Sequence, residues 1–436
     1  MLVLRVHRFG LPHAVTEPAT TEVGAVLGTV SPGFEPLRAQ FARSLPELGR
    51  GGGAFAAYAD GTLVADLWAG AATPGSPWGE DTIVPVASAT KGLAGFCIHM
   101  LVDRGLLDPD APVSEYWPEY ATAGKETTLV RHILIHSAGL VGAPALTAML
   151  GWDGAGWDDW DAIVEVLAAA PPSWRPGTRH GYHALTWGWL AGELVRRVSG
   201  RSIGTFFATE VAEPLGLDAR IGTPSSEHGR VAYVHPMDLS GLPPEIMAVH
   251  DALQAWARRP DTLVGLAFLG DGKSCLLDHV EEFANSRRAL AAEIPASNGT
   301  TTARSMAKVY ALLANGGTFD GVRLVSPESV RACSTEVIKA PDVLMADPDV
   351  PGHEIALAQP VSRTLVYYRN PIGTSELPRF GPSPDAYGAE GLGGQVSFCD
   401  AERGVAAAFV RSQLGLTQVV SDRLVETLYH CLEEAR

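Results

Sequence analysis

A serine and a lysine stand one helical turn apart in the run VPVASATKGLAGF, as Ser88 and Lys91. This spacing places both side chains on one face of a helix that starts here. A serine hydroxyl is a weak nucleophile that needs a nearby base, and a lysine amine becomes that base when burial or its neighbours lower its pKa. The apolar surroundings favour such a shift, and the N–H groups at a helix start can stabilise an oxyanion. The pair therefore predicts acyl transfer through an ester on Ser88.

The S-x-x-K spacing is a weak signal by itself, because an N-cap serine followed by a solvated lysine shows it too. Ser305 and Lys308 repeat it inside an amphipathic helical pattern with no strand or turn before them. Residues 200–204 fit the G-x-S-x-G motif of α/β-hydrolases, which has to follow a strand, but here they follow a helical pattern. We therefore predict that Ser305 is an ordinary helix-start residue and that Ser202 is a helix N-cap, with Gly200 closing the helix before it.

Hydrophobic periodicity predicts the elements that would hold Ser88. Residues 36–48 have the apolar spacing of a helix, and the apolar runs 54–59 and 63–68 flank Asp60-Gly61, a strong hairpin signal. The stretch 91–107 is almost unbroken in its apolar character, too long for a strand and too short to cross a bilayer, and it predicts a buried central helix. Further amphipathic helices are predicted at residues 161–170, 185–198 and 303–315.

Strand character returns in the C-terminal part of the chain. Residues 365–368, 395–399 and 405–410 are predicted strands, with a turn at 402–404 between the last two. A final amphipathic helix is predicted from about residue 417 to 434. Strands at both ends around a helical middle predict an α+β fold, in which an antiparallel sheet is built from both termini and the helices are inserted between them.

Composition and charge exclude several classes of protein. The 436 residues are 46% hydrophobic and 19% charged, a globular balance with enough apolar material for a large core. The formal net charge of −16 repels phosphate backbones and anionic lipids, so we expect neither a nucleic-acid nor a membrane partner. Residues 1–21 contain no continuous apolar run of the kind found in a signal peptide, which predicts a cytoplasmic protein.

The five cysteines are scattered and form no C-x-x-C pair, so they indicate neither a disulfide framework nor a zinc site. Cys97 and Cys399 lie in apolar runs and are predicted to be buried free thiols. The chain contains no H-E-x-x-H motif, P-loop or complete dinucleotide fingerprint. We therefore expect no metal and no cofactor.

Four segments of the chain resemble the esterase branch of the class C β-lactamase family, the family VIII carboxylesterases. They are VPVASATKGL, DRGLLDPDAPVSEYWPEY, ILIHSAGL and HGYHALTWGWLAGELVRRVSG. The resemblance runs from about Gly28 onward and implies a β-lactamase/transpeptidase-like fold, with a five-stranded antiparallel sheet, flanking helices and an inserted helical domain. Residues 1–28 would then be an N-terminal extension and 29–436 one β-lactamase-like domain. Its sheet would come from about 29–85 and 330–436, and its helical part from about 86–330.

The resemblance also implies further site residues. In this family a tyrosine of a Y-x-N or looser Y-x-x motif faces the Ser/Lys pair, and Tyr182 occupies that position. Its phenol would shuttle a proton between Ser88 and the leaving group, with Lys91 holding the phenol partly ionised, although a buried structural tyrosine is the alternative. The family's third motif, K-T-G or H-x-G, aligns with the run AEGLGG. There Gly391 would allow close backbone approach, and the N–H of Leu392 would complete an oxyanion hole with that of Ser88.

The third motif departs from the family pattern, because Ala389 stands where the family has Lys or His. This change puts in doubt the recognition of a substrate carboxylate, and with it penicillin-like binding and peptidase activity. Glu390 is expected to be a solvated charge, with a substrate-contacting acid as the alternative. His136 and His183 are expected to be structural. Core packing is expected for most tryptophans of the helical middle, with an aromatic acyl pocket as the alternative; these are Trp152, Trp157, Trp160, Trp174, Trp187 and Trp189.

The sequence thus predicts a serine hydrolase that cleaves small carboxylic esters, or lactones or amides, through a covalent ester on Ser88. One alternative is an acyltransferase that passes the acyl group to an alcohol or amine. A non-catalytic binding protein that kept the fold is the other, motivated by Ala389. The expected partner is a small ester or acyl substrate, and the sequence leaves the physiological substrate and the oligomeric state open.

Overall fold

A computed structural model describes residues 25–240, 242–346, 357, 360–370, 379–415 and 418–434. Residues 1–24, most of the predicted N-terminal extension, lie outside this part of the chain. The first strand is Leu27–Val30, so regular structure begins within the last residues of that predicted extension.

Fifteen strands occur in the described residues. They are β1 Leu27–Val30, β2 Gly52–Ala59, β3 Thr62–Thr73, β4 Ser76–Pro77, β5 Val84–Pro85, β6 Ala219–Arg220, β7 Thr300–Thr301, β8 Thr318–Phe319, β9 Val322–Arg323, β10 Ile338–Ala340, β11 Val361–Arg363, β12 Tyr368–Arg369, β13 Tyr387–Gly391, β14 Gln395–Asp400 and β15 Val405–Arg411.

The main sheet is antiparallel and draws its strands from both ends of the chain, as predicted. Its order is β1-β3-β2-β15-β14-β13-β12-β11-β10, with β4 pairing with β3. The expected five-stranded sheet is therefore extended, and the described residues contribute ten strands to it. Strand β15 from the C-terminal part pairs along its whole length with β2 from the N-terminal part, which joins the two ends of the chain.

Tight turns fix the register of this sheet. Asp60 and Gly61, with φ of 47° and 77°, form the predicted two-residue turn between β2 and β3, because left-handed backbone at both positions matches the twist of a hairpin. The predicted strand 365–368 is wrong in its first three residues, which form the turn between β11 and β12. There the Thr364 hydroxyl oxygen accepts hydrogen bonds from the backbone N–H groups of Val366 and Tyr367, which favours a turn over a strand.

The described residues also form fifteen α-helices, beside short 3-10 turns and the π-helical turn Ala208–Ala212. They are α1 Glu35–Arg43, α2 Thr90–Asp103, α3 Val130–Leu134, α4 Pro144–Met149, α5 Trp160–Ala169, α6 Thr186–Ser199, α7 Ile203–Phe207, α8 Glu213–Leu215, α9 Pro244–Ala257, α10 Leu263–Ala267, α11 Val280–Asn285, α12 Arg287–Ala291, α13 Ala303–Ala314, α14 Pro327–Ser334 and α15 Val419–Glu434.

Helices cover the main sheet on both faces. One face of β2 and β15 packs on α1 and α15, and the other packs on α2 and α13. Strands buried on both faces have continuous apolar sequences, and this explains why β2 and β15 show little alternation. The central helix α2 is buried from Thr90 to Leu101. It lies between β13 of the sheet and α6 of the helical part.

A small three-stranded sheet fixes the start of α2. Strand β7, just before α13, pairs on one side with β5, just before Ser88, and on the other with β6 of the helical part. The sheet region and the helical region are thereby joined next to the predicted nucleophile.

The five cysteines are free and buried, which confirms the prediction for Cys97 and Cys399. No helix among the described residues is both long and apolar enough to cross a membrane.

Candidate active site

Ser88 lies in a short 3-10 turn, Ala87–Ala89, that leads directly into α2. Ala87 has a φ of 46°, a left-handed conformation that is uncommon for a residue with a side chain and that often occurs at functional sites. The Thr90 hydroxyl holds this turn, since it donates to the Ala87 carbonyl at 2.6 Å and accepts from the Gly299 N–H at 2.9 Å. The serine therefore has a fixed position at the end of the sheet.

Lys91 is buried one turn further along, with 7% of its surface exposed. Its Nζ donates to the carbonyl oxygens of Ala184 at 2.7 Å and Ala296 at 2.9 Å, and lies 3.5 Å from Ser88 Oγ. A neutral amine has two hydrogens and one lone pair. In a neutral amine the two carbonyls would accept both hydrogens, which would leave the lone pair for the Ser88 hydroxyl.

The electrostatic surroundings of Lys91 favour the neutral amine. Burial lowers its pKa well below the usual value, and the nearby guanidinium of Arg363 lowers it further. The direction of this shift is the one that a lysine base needs, and the role of Lys91 as the base stays a prediction.

Tyr182 completes the group at the nucleophile. Lys91 Nζ lies 4.8 Å from the centroid of the Tyr182 ring, and the Tyr182 backbone N–H donates to Asp342 Oδ1 at 3.2 Å. Burial raises the pKa of the phenol strongly, while a hydrogen bond with Ser88 lowers it by a smaller amount. This direction favours a protonated phenol, because desolvation outweighs the neighbouring charges, and the partly ionised phenol stays a prediction.

Three buried histidines support the backbone around Tyr182. His183 donates its backbone N–H to His136 Nδ1 at 3.0 Å, and its own Nδ1 lies 2.7 Å from the Gly181 oxygen. His180 Nδ1 lies 2.9 Å from the Ile135 oxygen. Burial lowers the pKa of His180 and His183 to about 4 and that of His136 well below its usual value. These contacts agree with the structural role expected for His136 and His183.

The third motif lies on β13 next to the nucleophile. A Cβ at Gly391 would stand 2.3 Å from the Val86 carbonyl oxygen, so only glycine permits this approach of the two backbones. Leu392 and Ser88 both line the adjoining pocket. Ala389, at the position of the family's basic residue, is 5% exposed and is absent from the residues that line this pocket.

Glu390 differs from its expected role. It is 4% exposed and forms an ion pair with Arg379, so the prediction of a solvated charge is wrong. The sequence did not reveal this pair, because Arg379 precedes β13 and reaches the site only through the fold.

A pocket of about 90 Å³ opens beside Ser88. Its polar side chains are Ser88, Tyr182, Ser297 and Asn298. The amide of Asn298 already bonds the carbonyls of Ala289 and Ala292 and the N–H of Ile294. Apolar side chains form the rest of the lining, among them Leu276, Leu277, Val280, Phe283, Leu290 and Leu414. Among the described residues, no charged side chain lines this pocket.

The other candidate motifs make structural contacts, as predicted, although the short strand β7 stands just before α13, where the sequence indicated no strand. Ser305 Oγ accepts from the Asp218 N–H at 2.9 Å, and Lys308 Nζ donates to the Leu215 carbonyl at 2.8 Å. Ser202 caps α7, and Gly200 ends α6. Of the six tryptophans in the helical middle, none is among the described residues that line the pocket, and Trp157, Trp187 and Trp189 are fully buried in the core.

Sequence reasoning missed Arg363 and the two carbonyls that hold Lys91. Arg363 lies on β11 with its guanidinium carbon 5.6 Å from the Tyr182 ring centroid. A lone arginine in a short strand gives no functional signal, since such a residue commonly faces solvent. Backbone carbonyls carry no residue-type signal at all.

Several known proteins are similar to this chain in sequence and fold. A model of the Beta-lactamase family matches residues 37–428. The Esterase/beta-lactamase LipL of Mycobacterium tuberculosis is 36% identical over 418 residues, which are 94% of this chain and 88% of that protein. A solved penicillin-binding protein homolog from Caulobacter crescentus is 34% identical with a TM-score of 0.75, covering 93% of this chain and 99% of its own. A solved family VIII carboxylesterase is 32% identical with a TM-score of 0.76 and the same coverage. The predicted resemblance and fold class are confirmed.

Proposed function

Because the chain belongs to the Beta-lactamase family and is a serine hydrolase, we propose that it cleaves neutral carboxylic esters through an acyl ester on Ser88. The observation that carries this proposal is the position of Lys91 Nζ, which donates to two carbonyls and lies 3.5 Å from Ser88 Oγ. This arrangement provides a nucleophile with its base in place before substrate binds.

In the first step Ser88 Oγ attacks the ester carbonyl carbon while Lys91 accepts the hydroxyl proton. The carbonyl oxygen becomes an oxyanion, which the backbone N–H groups of Ser88 and Leu392 stabilise. Gly391 makes this hole possible, since it brings β13 against the backbone just before Ser88.

In the second step the C–O bond to the alcohol breaks. The leaving alkoxide takes the phenol proton of Tyr182, and the Lys91 ammonium returns a proton to the phenolate. Water then attacks the acyl ester and gives a proton to the same pair. The bond between the acyl carbon and Ser88 Oγ breaks, the pair returns the proton to Oγ, and the acid leaves. A protonated resting phenol and a neutral resting amine are the states that this sequence of transfers needs.

The pocket supports an ester with an apolar group and no charge next to the reacting carbonyl. Its lining is apolar apart from a few uncharged polar side chains, and burying a substrate carboxylate there without a partner would be unfavourable. The position of Ala389 supports the same substrate class, because the family's basic residue is missing there.

The test is hydrolysis of a p-nitrophenyl ester series and of a chromogenic cephalosporin by the parent protein, Ser88→Ala and Ser305→Ala. We expect ester turnover by the parent, a loss of at least about 10³-fold in Ser88→Ala, and parental turnover in the matched control Ser305→Ala. Cephalosporin turnover should be much slower, because that substrate carries a carboxylate. Ester turnover that survives in folded Ser88→Ala would refute the proposal.

Acyl transfer to an apolar alcohol is a second candidate. The observation that favours it is the apolar pocket, in which the Asn298 amide is already occupied and few polar groups remain to hold a water molecule. Product analysis with increasing concentrations of an apolar alcohol separates the two activities. A transferase would give new ester and little free acid, and a hydrolase would give mainly acid.

A further inference from the structure

Arg363 carries a buried charge beside the proposed catalytic group, and it has no counterion among the described residues. It is 2% exposed, and its Nε and Nη2 atoms have no hydrogen-bond partner in the part of the chain that the structure describes. Its guanidinium carbon lies 3.8 Å from the centroid of the Tyr368 ring and 5.6 Å from that of Tyr182. No carboxylate among the described residues forms an ion pair with it.

The carboxylates near Arg363 have other partners. Asp342 accepts from the backbone N–H groups of Tyr182 and Leu344, and Glu390 pairs with Arg379. A guanidinium does not lose its proton in a protein, so Arg363 stays a cation even here. Burial of an unpaired cation is costly, and stacking on Tyr368 offsets only part of that cost. An unpaired buried polar group in a folded protein calls for an explanation, and a catalytic role is one such explanation.

Lys91 and Arg363 both lie against the ring of Tyr182, Lys91 with Nζ at 4.8 Å and Arg363 with its guanidinium carbon at 5.6 Å from the centroid. A fixed cation at this place opposes a second positive charge on Lys91 and favours a negative charge on Tyr182. These are the two charge states that the proposed proton transfers require, namely a neutral amine before attack and a transient phenolate afterwards.

We propose that Arg363 is a positioning residue whose permanent charge keeps the lone pair of Lys91 available to Ser88 and stabilises the phenolate of Tyr182. The inference rests on the proposed function. The direction of the effect agrees with the lowered pKa of Lys91, for which burial is the main cause and Arg363 the second.

The other titratable groups around Lys91 and Arg363 do not supply this cation. Among the described residues they are the phenols of Tyr182 and Tyr368, the imidazoles of His136, His180 and His183, the carboxylates of Asp342 and Glu390, and the guanidinium of Arg379, which pairs with Glu390. The imidazoles are uncharged at neutral pH because burial lowers their pKa values. Arg363 is thus the permanent cation of this group that has no ion-pair partner among the described residues, because Glu390 pairs with Arg379.

The test compares kcat/KM for a neutral p-nitrophenyl ester as a function of pH in the parent, Arg363→Met and Arg363→Gln. Arg411→Met is the matched control, since Arg411 is another buried arginine, bonded to the Glu47 carbonyl and outside the pocket lining. Without the cation, Lys91 binds a proton more readily. The acid limb, which is the fall of kcat/KM on the low-pH side of the profile, should therefore move to higher pH by about one unit in both Arg363 variants. The limb of Arg411→Met should stay in place.

Thermal unfolding of the same proteins gives a second readout. Replacing an unpaired buried charge by Met leaves no partner uncompensated, so Arg363→Met should unfold at the parental temperature or above it. A merely structural arginine would give a lower unfolding temperature and an unmoved limb, and that result would overturn the proposal. Failure of both Arg363 variants to fold would overturn it as well.

The kinetic results also separate a failure of the role proposed for Arg363 from a failure of the proposed function. A rise in KM confined to esters that carry a carboxylate, with an unmoved limb, would make Arg363 an anion-binding residue and overturn the positioning role. Full activity in Ser88→Ala would instead refute the proposed function itself. An inactive Ser88→Ala together with an unmoved limb in the Arg363 variants would refute the further inference alone.

Discussion

The chain contains the S-x-x-K spacing twice. In the first copy Ser88 precedes α2 and Lys91 lies in it, and in the second copy Ser305 and Lys308 both lie in α13. The lysines differ in their surroundings. Lys91 is buried beside a second cation, whereas Lys308 is partly exposed, with Nζ 3.7 Å from Asp320 Oδ2. A counterion keeps a lysine charged, and its absence lets the amine serve as a base. The spacing alone does not distinguish the two.

The starts of α2 and α13 differ in their capping. The side chain of Thr302 caps α13 by accepting from the Ser305 N–H at 3.1 Å, and Ser305 Oγ itself accepts from the Asp218 N–H. No side chain caps the start of α2, and Ser88 lines the pocket. The hydroxyl of Ser305 is thus occupied by a backbone hydrogen bond, whereas the hydroxyl of Ser88 faces the pocket, where a substrate would bind.

The largest expected difference between the two copies is in activity. Lys91→Met should lower kcat for a p-nitrophenyl ester by about 10³-fold, because it removes the base that accepts the Ser88 proton. Lys308→Met should leave kcat unchanged. Steady-state kinetics on both purified variants measures this, and comparable losses in the two would abolish the distinction drawn here.

The pH dependence of stability should also separate the two lysines. The folded pKa of Lys91 lies well below its unfolded value near 10.5, so the unfolded state binds more protons between these values and stability rises with pH there. This group contributes at most about 1.4 kcal/mol per pH unit. Urea unfolding at neutral and at alkaline pH should show a smaller rise in Lys91→Met than in the parent, and a parental rise in Lys308→Met. Equal slopes in all three proteins would contradict the neutral, buried Lys91.

A smaller effect is expected from the threonine that holds the nucleophile turn. Thr90→Val keeps the shape of the side chain but removes the bonds to Ala87 and Gly299, so Ser88 loses its fixed position. We expect a decrease of about 10- to 100-fold in kcat, since small misplacements of catalytic groups are costly. Kinetics at saturating ester checks this. A variant with parental kcat would show that the left-handed turn at Ala87 is held by the rest of the fold.

The smallest effect should appear at the other helix start. Thr302→Val removes the cap of α13 and should lower the free energy of unfolding by about 1 kcal/mol, without changing kcat. Urea unfolding and ester kinetics on the same preparation test both parts. A drop in kcat would mean that the start of α13 is coupled to the active site through β7, and the two copies would then be less independent than proposed.

The sequence predicted the parts of the site that depend on neighbours along the chain. The apolar run after Ser88 gave a buried helix, and Asp60-Gly61 gave the hairpin, because both depend on local spacing and backbone preference. The partners of Lys91 depend on distant chain, since the carbonyls of Ala184 and Ala296 are 93 and 205 residues away from it. The family resemblance, not the local pattern, supplied Tyr182.

Other differences also come from tertiary contacts. Glu390 was expected in solvent, but the fold buries it against Arg379. Arg363 gave no signal, because its proposed role depends on the lack of a counterion among the described residues, and no sequence pattern encodes such a lack. The predicted strand at 365–368 had the right composition, but Thr364 forms a turn there.

The five buried cysteines provide a way to follow the opening of the folded chain. Burial raises the pKa of each thiol, to about 12 for Cys275 and Cys399, and so keeps the reactive thiolate scarce. Two of them lie in opposite layers of the molecule, Cys97 in α2 and Cys431 in α15. Alkylation by a maleimide, followed by peptide mass analysis, would therefore report which layer detaches first under denaturing conditions, with no label engineered into the protein.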